Sequence, residues 1–163
     1  MFNLALSLKE ADIYYELYQH RKIFSNEDAL VVKAEQGFSG TETKSLFLKN
    51  KKQHYFIFLT FMTKQTDFKK LQRLTGQRLK IVDSVEMEQL TGQKPGAVSP
   101  FGYDPSVAII IDEELLDQEK LVFAPGRPDQ TMVILGKDLP AIINLFKNKS
   151  YIYPKESNEC QKF

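Results

Sequence analysis

The spacing of apolar residues divides the first half of the chain into short helices and strands. Residues 8–21 have apolar side chains at helical spacing, which predicts an amphipathic helix. A polar cap at the start of residues 26–36 predicts a second helix, and the glycines within residues 37–40 end it. Residues 45–48 and 55–61 are aromatic and aliphatic with a polar stretch between them, which predicts a β-hairpin.

The second half alternates short apolar segments with loops rich in glycine and proline. Apolar spacing and capping residues predict three more helices, at residues 67–75, 84–91 and 137–146. Short apolar runs predict four more strands, at residues 79–82, 107–111, 121–124 and 131–135. The run at 107–111 is unbroken, as in a strand buried on both faces. Residues 112–116 read as a turn or short helix, and a polar, loosely held tail is expected over residues 150–163.

Composition limits the class of protein. The chain has 163 residues, of which 42% are hydrophobic, so we expect a single domain with an ordinary core, at about residues 27–146. No apolar run is long enough to span a bilayer, and residues 1–9 lack the pattern of a secretory signal. The single Cys160 cannot form an internal disulfide. These features predict a cytoplasmic protein without a membrane contact.

Charge is uneven although the formal net charge is only +1. Residues 44–80 contain one acid, Asp67, among the bases Lys44, Lys49, Lys51, Lys52, Lys64, Lys69, Lys70, Arg73, Arg78 and Lys80. Residues 83–119 are acidic, with Lys94 as their one base. A basic segment of this kind is a possible phosphate-binding face, but charge alone favours an ordinary solvated surface.

The densest cluster of glycine and proline lies in residues 92–102. Its functional candidates are Gly92, Pro95, Gly96, Val98, Ser99, Pro100, Phe101 and Gly102. Proline restricts the backbone, and glycine permits positive φ angles and close approach, so such a loop can present backbone groups to a small polar substrate. A tight connection between a helix and a strand explains the same composition, and composition alone favours that simpler interpretation.

Charged side chains beside predicted strands supply the other candidates. Lys44 precedes the strand at 45–48, where its ammonium could stabilise an oxyanion or bind a phosphate or carboxylate. In the loop at 125–131, Gly126 precedes Arg127, which could pair with an anion, and Asp129 could orient a water or bind an amino group. A surface lysine and a hairpin turn are the simpler interpretations.

Other chemistries lack a signature in this sequence. It contains no Cys/His set with zinc spacing, no nucleophile elbow, no Walker loop and no dinucleotide-binding fingerprint. The two histidines, His20 and His54, have no partner at ligand spacing and are expected at the surface. No motif in the sequence therefore indicates a metal or cofactor site.

Lys44 and the 92–102 loop together resemble one known family. The pattern Gly92-x-x-Pro95-Gly96-x-Val98-Ser99-Pro100-Phe101-Gly102 resembles the Gly-x-x-Pro-Gly loop of the YbaK/ProX family, free-standing relatives of the editing domain of bacterial prolyl-tRNA synthetases. The segment Lys44-Ser45-Leu46-Phe47-Leu48 looks like the lysine-plus-strand element of that family. The similarity covers about residues 27–146, and the two elements are specific only in combination.

The resemblance implies an α+β fold with a mixed, mostly antiparallel, barrel-like β-sheet surrounded by helices. It implies hydrolysis of the ester of mischarged aminoacyl-tRNA in trans, without a metal or organic cofactor, and with the acceptor end of the tRNA as partner. Nothing in the sequence demands a partner subunit, so a monomer is expected. Lys44, Gly92 and Gly96 would then be catalytic. The substrate would be bound by Pro95, Val98, Ser99, Pro100, Phe101, Gly102, Gly126, Arg127 and Asp129.

The segment at 123–131 departs from the family pattern. Members that remove alanine often carry a Phe-His-Pro start and an Asn there, whereas Ala124 and Pro128 occupy these positions here. The amino acid that is removed is therefore left open. Two alternatives also remain: a non-catalytic module that uses the pocket to bind tRNA or protein, and a regulatory domain separated from a larger synthetase.

Overall fold

The computed structural model describes residues 3–155, which form a curved mixed β-sheet with helices around it. The helices within this part of the chain are α1 (Leu4–Glu10), α2 (Asn26–Gln36), α3 (Phe68–Thr75), α4 (Ser84–Thr91) and α5 (Leu139–Asn144), with 3₁₀ helices at Glu113–Asp117 and Gly136–Asp138. The strands are β1 (Tyr15–Gln19), β2 (Thr41–Lys49), β3 (Tyr55–Phe61), β4 (Lys80–Ile81), β5 (Ala108–Asp112), β6 (Lys120–Phe123), β7 (Gln130–Leu135) and β8 (Ser150–Tyr153).

The strand order is β1-β7-β6-β2-β3-β5-β8, and β4 pairs with β2 beside this path. The pairs β1–β7, β7–β6, β2–β3 and β2–β4 are antiparallel, and the pairs β6–β2, β3–β5 and β5–β8 are parallel. The α+β class and the mixed, mostly antiparallel sheet are thereby confirmed. No ladder joins β1 to β8 within residues 3–155, so the sheet is open in this part of the chain.

Side-chain alternation gives the central strands two buried faces. On β3, Ile57 and Leu59 face the main core enclosed by the sheet, while Phe56 and Phe58 face a second cluster that also contains Leu71 of α3. The middle of β5 is buried on both faces, as its unbroken apolar run predicted. The apolar core also extends beyond residues 27–146, because Leu4, Leu8 and Tyr153 are buried.

Helix boundaries follow from capping. The Ser25, Asp67 and Asp83 side chains accept hydrogen bonds from the first turns of α2, α3 and α4. Each of these helices ends at a glycine in the left-handed region, and Gly92, with φ 72°, ends α4. The helices predicted at 26–36, 67–75 and 84–91 are confirmed, as are the hairpin β2–β3 and the short strands that follow.

The helix predicted at residues 8–21 is wrong for most of its length. The α1 helix ends at Glu10, and Asp12 takes a φ of 58° while the Ile13 amide donates to the carbonyl of Leu8. The following residues form β1, which pairs with β7. A partner strand more than a hundred residues away decided the structure of this aromatic segment, and local spacing could not reveal it.

The polar tail predicted from residue 150 is wrong for residues 150–153. They form β8, parallel to β5, and the Tyr153 ring is 4.9 Å from that of Phe58, centroid to centroid. The helix predicted at 137–146 is shorter than expected, because a 3₁₀ turn precedes α5. Lys155 is also held, because its amide donates to the Glu113 carboxylate at 2.9 Å, and residues 156–163, with Cys160, lie outside the described residues.

Candidate active site

Lys44 lies in the first half of β2, on the sheet face opposite the main core. It is paired with Thr60 of β3, and its neighbours on the same face are Glu42 and Leu46. Its Nζ donates to the Lys64 carbonyl at 2.6 Å, and burial lowers the pKa of its ammonium. Lys44 forms no ion pair within residues 3–155, so its half-buried charge has no carboxylate partner there.

The 92–102 loop is held together by hydrogen bonds of its own side chains. Gln93 is central: its Oε1 accepts from the Ser99 amide at 2.9 Å and its Nε2 donates to the Tyr103 hydroxyl at 2.8 Å. That hydroxyl donates to the Ser99 carbonyl at 2.6 Å, and burial raises the pKa of Tyr103. The Ser99 hydroxyl donates to the Phe101 carbonyl at 2.9 Å. The loop is therefore a rigid frame with few free polar groups.

The predicted loop residues divide into an exposed edge and a buried base. Gly92, Pro95 and Gly96 are exposed, and Gly96 has a φ of 81°. Val98 and Gly102 are half-buried, while Ser99, Pro100 and Phe101 are buried. The Phe101 ring stacks on that of Phe146 at 5.9 Å and meets that of Phe123 edge-on at 6.1 Å. Phe101 thus anchors the loop to the core, and the exposed glycine edge is the part that a substrate can reach.

The β6–β7 hairpin loop at residues 124–129 packs against this frame. A Cβ atom on Gly126, whose φ is 104°, would lie 2.9 Å from the Gln93 Oε1 and 3.9 Å from the Ser99 Cβ. A side chain here would have to displace the Gln93 amide and would strain the backbone, so the position favours glycine. The structure therefore brings together two loops that are separated by more than twenty residues.

Arg127 and Asp129 bind each other within that hairpin. The Arg127 Nε and Nη2 donate to the two carboxylate oxygens of Asp129 at 2.9 and 2.8 Å. This pair of hydrogen bonds lowers the pKa of Asp129. This ion pair lies within the hairpin turn, in agreement with the simpler interpretation of the segment as a turn. The Arg127 side chain is exposed, so the pair is open to competition from other anions.

The parallel pairing of β2 with β6 places Lys44 level with the start of the hairpin loop. Glu42 is paired with Val122, and the Thr43 hydroxyl donates to the Val122 carbonyl at 2.8 Å. Two residues farther along each strand lie Lys44 and Ala124, at the start of the hairpin loop. No hydrogen bond joins Lys44 to the 92–102 loop among the described residues, and Phe101 of that loop packs into the main core on the other face of the sheet.

Sequence reasoning missed three residues that shape this region: Gln93, Tyr103 and Glu42. Gln93 lies inside the recognised loop, but nothing in its sequence position marks it as the residue that joins both loops. Tyr103 follows the motif directly and was read as loop. Glu42 lies two residues before Lys44, and strand alternation alone could have placed it on the same face.

The described residues show no sign of a metal centre or a membrane span. No group of three or more His, Cys, Asp or Glu side chains in residues 3–155 could hold a metal ion. Within the same range, no helix is both long and apolar enough to cross a bilayer. His54 is exposed, whereas His20 is half-buried and its Nε2 lies 2.7 Å from the Thr131 hydroxyl.

Known proteins share both the sequence pattern and the fold. The fold is shared with hypothetical protein APE2540, at a TM-score of 0.75 and 18% identity over 90% of this chain and 95% of that one. A "putative trans-editing enzyme for prolyl tRNA synthetase" superposes with a TM-score of 0.68 at 22% identity, over 92% of this chain and 96% of that one. Residues 27–142 match the model of the aminoacyl-tRNA editing domain. The protein therefore belongs to the aminoacyl-tRNA editing domain family.

Proposed function

We propose that this protein hydrolyses the ester between a wrong amino acid and the terminal adenosine of a tRNA, acting in trans as a YbaK/ProX-type deacylase. Water adds to the ester carbonyl carbon, the bond to the ribose oxygen breaks, and that oxygen takes up a proton. The products are a free amino acid and an uncharged tRNA. We further propose that the protein works as a cytoplasmic monomer without a metal or cofactor.

The unpaired, half-buried ammonium of Lys44 carries this proposal. A lysine charge removed from water normally gains a carboxylate partner, whereas Lys44 has only the carbonyl of Lys64. Such a charge can stabilise the negative oxygen that develops when water adds to an ester, and it acts strongly because it is partly shielded from solvent. It can equally hold the ribose–phosphate end of the substrate.

The rigid loops supply positioning. Aminoacyl esters are activated, so holding the ester and a water in the right geometry can provide much of the rate. The exposed backbone of Gly92 and Gly96 supports a role in placing the aminoacyl group and the water. The neighbouring Pro95, Val98, Ser99, Pro100, Phe101 and Gly102, with Gly126, Arg127 and Asp129, would shape the pocket.

A deacylation panel tests the proposal. The protein is incubated with tRNAs charged with Ala, Ser, Thr, Cys or Pro, and loss of the ester is followed over time. At least one ester should disappear faster than in buffer. Lys44→Ala should lower that rate by about 100-fold or more, as loss of an oxyanion-stabilising group does elsewhere. Lys9→Ala, which removes an exposed lysine from α1, is the matched control and should leave the rate unchanged.

The same panel separates the enzyme from a binding module. Binding of charged tRNA without hydrolysis of any ester would show that the pocket serves recognition only. Hydrolysis that survives in Lys44→Ala would keep the reaction but remove Lys44 from it. The identity of the ester that is cleaved fastest gives the substrate amino acid.

A further inference from the structure

Two opposite charges share one face of β2. Glu42 and Lys44 are separated by one residue, so their side chains leave the strand on the same side with Cα atoms about 7 Å apart. The intervening Thr43 is buried on the other face, where its hydroxyl is bonded to β6. A small amino acid ester is short enough to contact both charged groups at once.

Glu42 has hydrogen-bonding capacity that its surroundings leave unused. Its side chain is 16% exposed, and its Oε1 is buried without a hydrogen bond from any described residue. The Lys33 ammonium of α2 forms an ion pair with that oxygen at 3.3 Å, while its aligned hydrogen bond goes to the Gly40 carbonyl. Burial raises the pKa of the Glu42 carboxyl, and the Lys33 charge only partly offsets this.

A buried carboxylate oxygen without a donor is costly, and native proteins rarely keep one without a reason. A purely structural ion pair would be expected to align its ammonium with the carboxylate, as Lys49 does at 2.6 Å from the Glu86 Oε1. Near Lys44, the missing donor is best supplied by a ligand that carries a positively charged N–H group.

We propose that Glu42 binds the free α-ammonium group of the aminoacyl ester while Lys44 faces its ester oxygens, so that the site accepts free aminoacyl esters and rejects N-acylated ones. This inference rests on the proposed function, since it assumes an aminoacyl ester at Lys44. The rejected class includes every ester whose amino group is already in an amide bond, as it is in peptidyl-tRNA.

The selectivity follows from charge. An ammonium forms a charge-assisted hydrogen bond with Glu42, and partial burial strengthens that bond. An N-acyl group presents a neutral amide with a single N–H, and its added carbonyl would face a carboxylate. Glutamine at this position removes the charge and offers both a donor and an acceptor, so it should discriminate weakly between the two substrates.

Binding of a non-hydrolysable analogue tests this without relying on catalysis. The probe is 3′-aminoacylamino-3′-deoxyadenosine, carrying Ala, Ser, Thr, Cys or Pro, compared by calorimetry with its N-acetylated form. We expect N-acetylation to weaken binding to the native protein by tenfold or more, and to weaken binding to Glu42→Gln by less than threefold. An equal effect of N-acetylation on both proteins would overturn the inference.

Hydrolysis provides the second measurement. The best tRNA ester of the panel and its N-acetylated form are compared by kcat/KM, and the preference for the free amine should fall at least tenfold in Glu42→Gln. An equal loss on both substrates would show a structural role and overturn the inference. Analogue binding that depends on Glu42, without hydrolysis of any ester, would instead uphold the inference and defeat the proposed enzyme.

Two more variants separate recognition from stability. Glu86→Gln changes a carboxylate that accepts hydrogen bonds from Lys49 and Tyr55 at the far end of β2. This variant should keep the native preference for free amines. Glu42→Asp keeps the charge but withdraws it by one methylene, and it should show an intermediate preference. If Glu42→Gln does not fold, a native preference in Glu42→Asp overturns the inference, and a reduced preference supports it.

Discussion

Lys44 and Lys70 are the half-buried lysines of residues 3–155 that form no ion pair, and Lys70 instead lies 4.1 Å from the centroid of the Tyr153 ring. Lys33, Lys49, Lys64 and Lys120 each form an ion pair, and Lys64 binds both Asp112 and Glu114. A protein optimised only for stability would neutralise or replace the charge at Lys44, since an unpaired charge is costly to bury. The free-energy cost of partly burying the unpaired Lys44 charge is therefore consistent with a functional role for this residue.

Removing the charge of Lys44 should separate stability from activity. We expect Lys44→Met to unfold at the same or a higher urea concentration than the native protein, while ester hydrolysis falls about 100-fold or more. In contrast, Lys64→Met leaves the buried Asp112 without its cation and should cost about 3 kcal/mol. Urea unfolding followed by circular dichroism measures both changes. An equal destabilisation in the two variants would contradict the functional interpretation of Lys44.

Gly126 should tolerate no side chain because it touches the frame of the neighbouring loop. In Gly126→Ala, the new Cβ would meet the Gln93 Oε1 at 2.9 Å, and the φ of 104° would strain the backbone. Gly76→Ala is the control: its φ is 72° and no atom lies within 4 Å of the added Cβ, so it should cost only about 1–2 kcal/mol. Thermal unfolding should show a larger loss for Gly126→Ala, accompanied by slower hydrolysis. Equal losses would mean that the contact between the loops is unimportant.

Sequence could indicate the site residues but not the contacts among them. The glycine and proline content of residues 92–102 predicted an unusual backbone, and the positive φ angles of Gly92, Gly96 and Gly102 agree with it. The bonds of Gln93 to Ser99 and Tyr103 depend on how the loop folds back, which no local spacing encodes. The Arg127–Asp129 pair was within reach of sequence, because opposite charges with one residue between them in a tight turn lie close enough to pair.

At the scale of elements, sequence succeeded where local signals agree and failed where a distant partner decides. Caps and glycines define α2, α3 and α4, and all three were predicted. β1 and β8 were missed because each obtains its hydrogen bonds from a strand far along the chain. The aromatic and β-branched residues of β8, Tyr151, Ile152 and Tyr153, were the available signal for a strand, but the polar residues around them obscured it.

The edge strand β1 carries Glu16, a hydrogen-bonded carboxylate whose protonation in acid should lower the stability of the protein. Burial opposes ionisation of Glu16, but hydrogen bonds from Lys120, Tyr14 and Tyr18 outweigh it and lower its pKa to about 2. The folded pKa lies below the ordinary glutamate value of 4.5, so the stabilisation is present above pH 4.5 and is lost as the pH falls toward 2.

Glu16→Gln should therefore reduce the dependence of the free energy of unfolding on pH in acid. The free energy of unfolding, measured with urea between pH 2 and pH 6, should depend less on pH in the variant than in the native protein. The free energies of unfolding of the two proteins should differ most near pH 6 and converge toward pH 2. Glu27→Gln, which changes an exposed glutamate in the first turn of α2, is the control and should leave the slope nearly unchanged. An unaltered slope in Glu16→Gln would assign the acid sensitivity to other carboxylates.

At the scale of the molecule, the basic segment contributes a group of exposed cations that have no carboxylate partner within residues 3–155. Six cations of the β2–β3 turn, α3 and the start of β4 are exposed and form no ion pair within residues 3–155: Lys51, Lys52, Lys69, Arg73, Arg78 and Lys80. Lys69 and Arg73 line a shallow depression with Gln72 and Gly76. In a chain of net charge +1, this arrangement concentrates positive potential on one region.

Salt dependence tests whether that surface meets tRNA phosphates. If it does, the logarithm of the association constant should fall linearly with the logarithm of salt concentration, with a slope of about −0.7 to −0.9 per phosphate contact. The variant Lys69→Glu/Arg73→Glu should make the slope shallower by about 1 to 2 and weaken binding at low salt. Lys9→Glu/Lys137→Glu changes the net charge equally at other exposed positions and should alter the slope far less. Fluorescence anisotropy with labelled tRNA gives both slopes, and equal slopes in the two variants would mean that only overall charge attracts the tRNA.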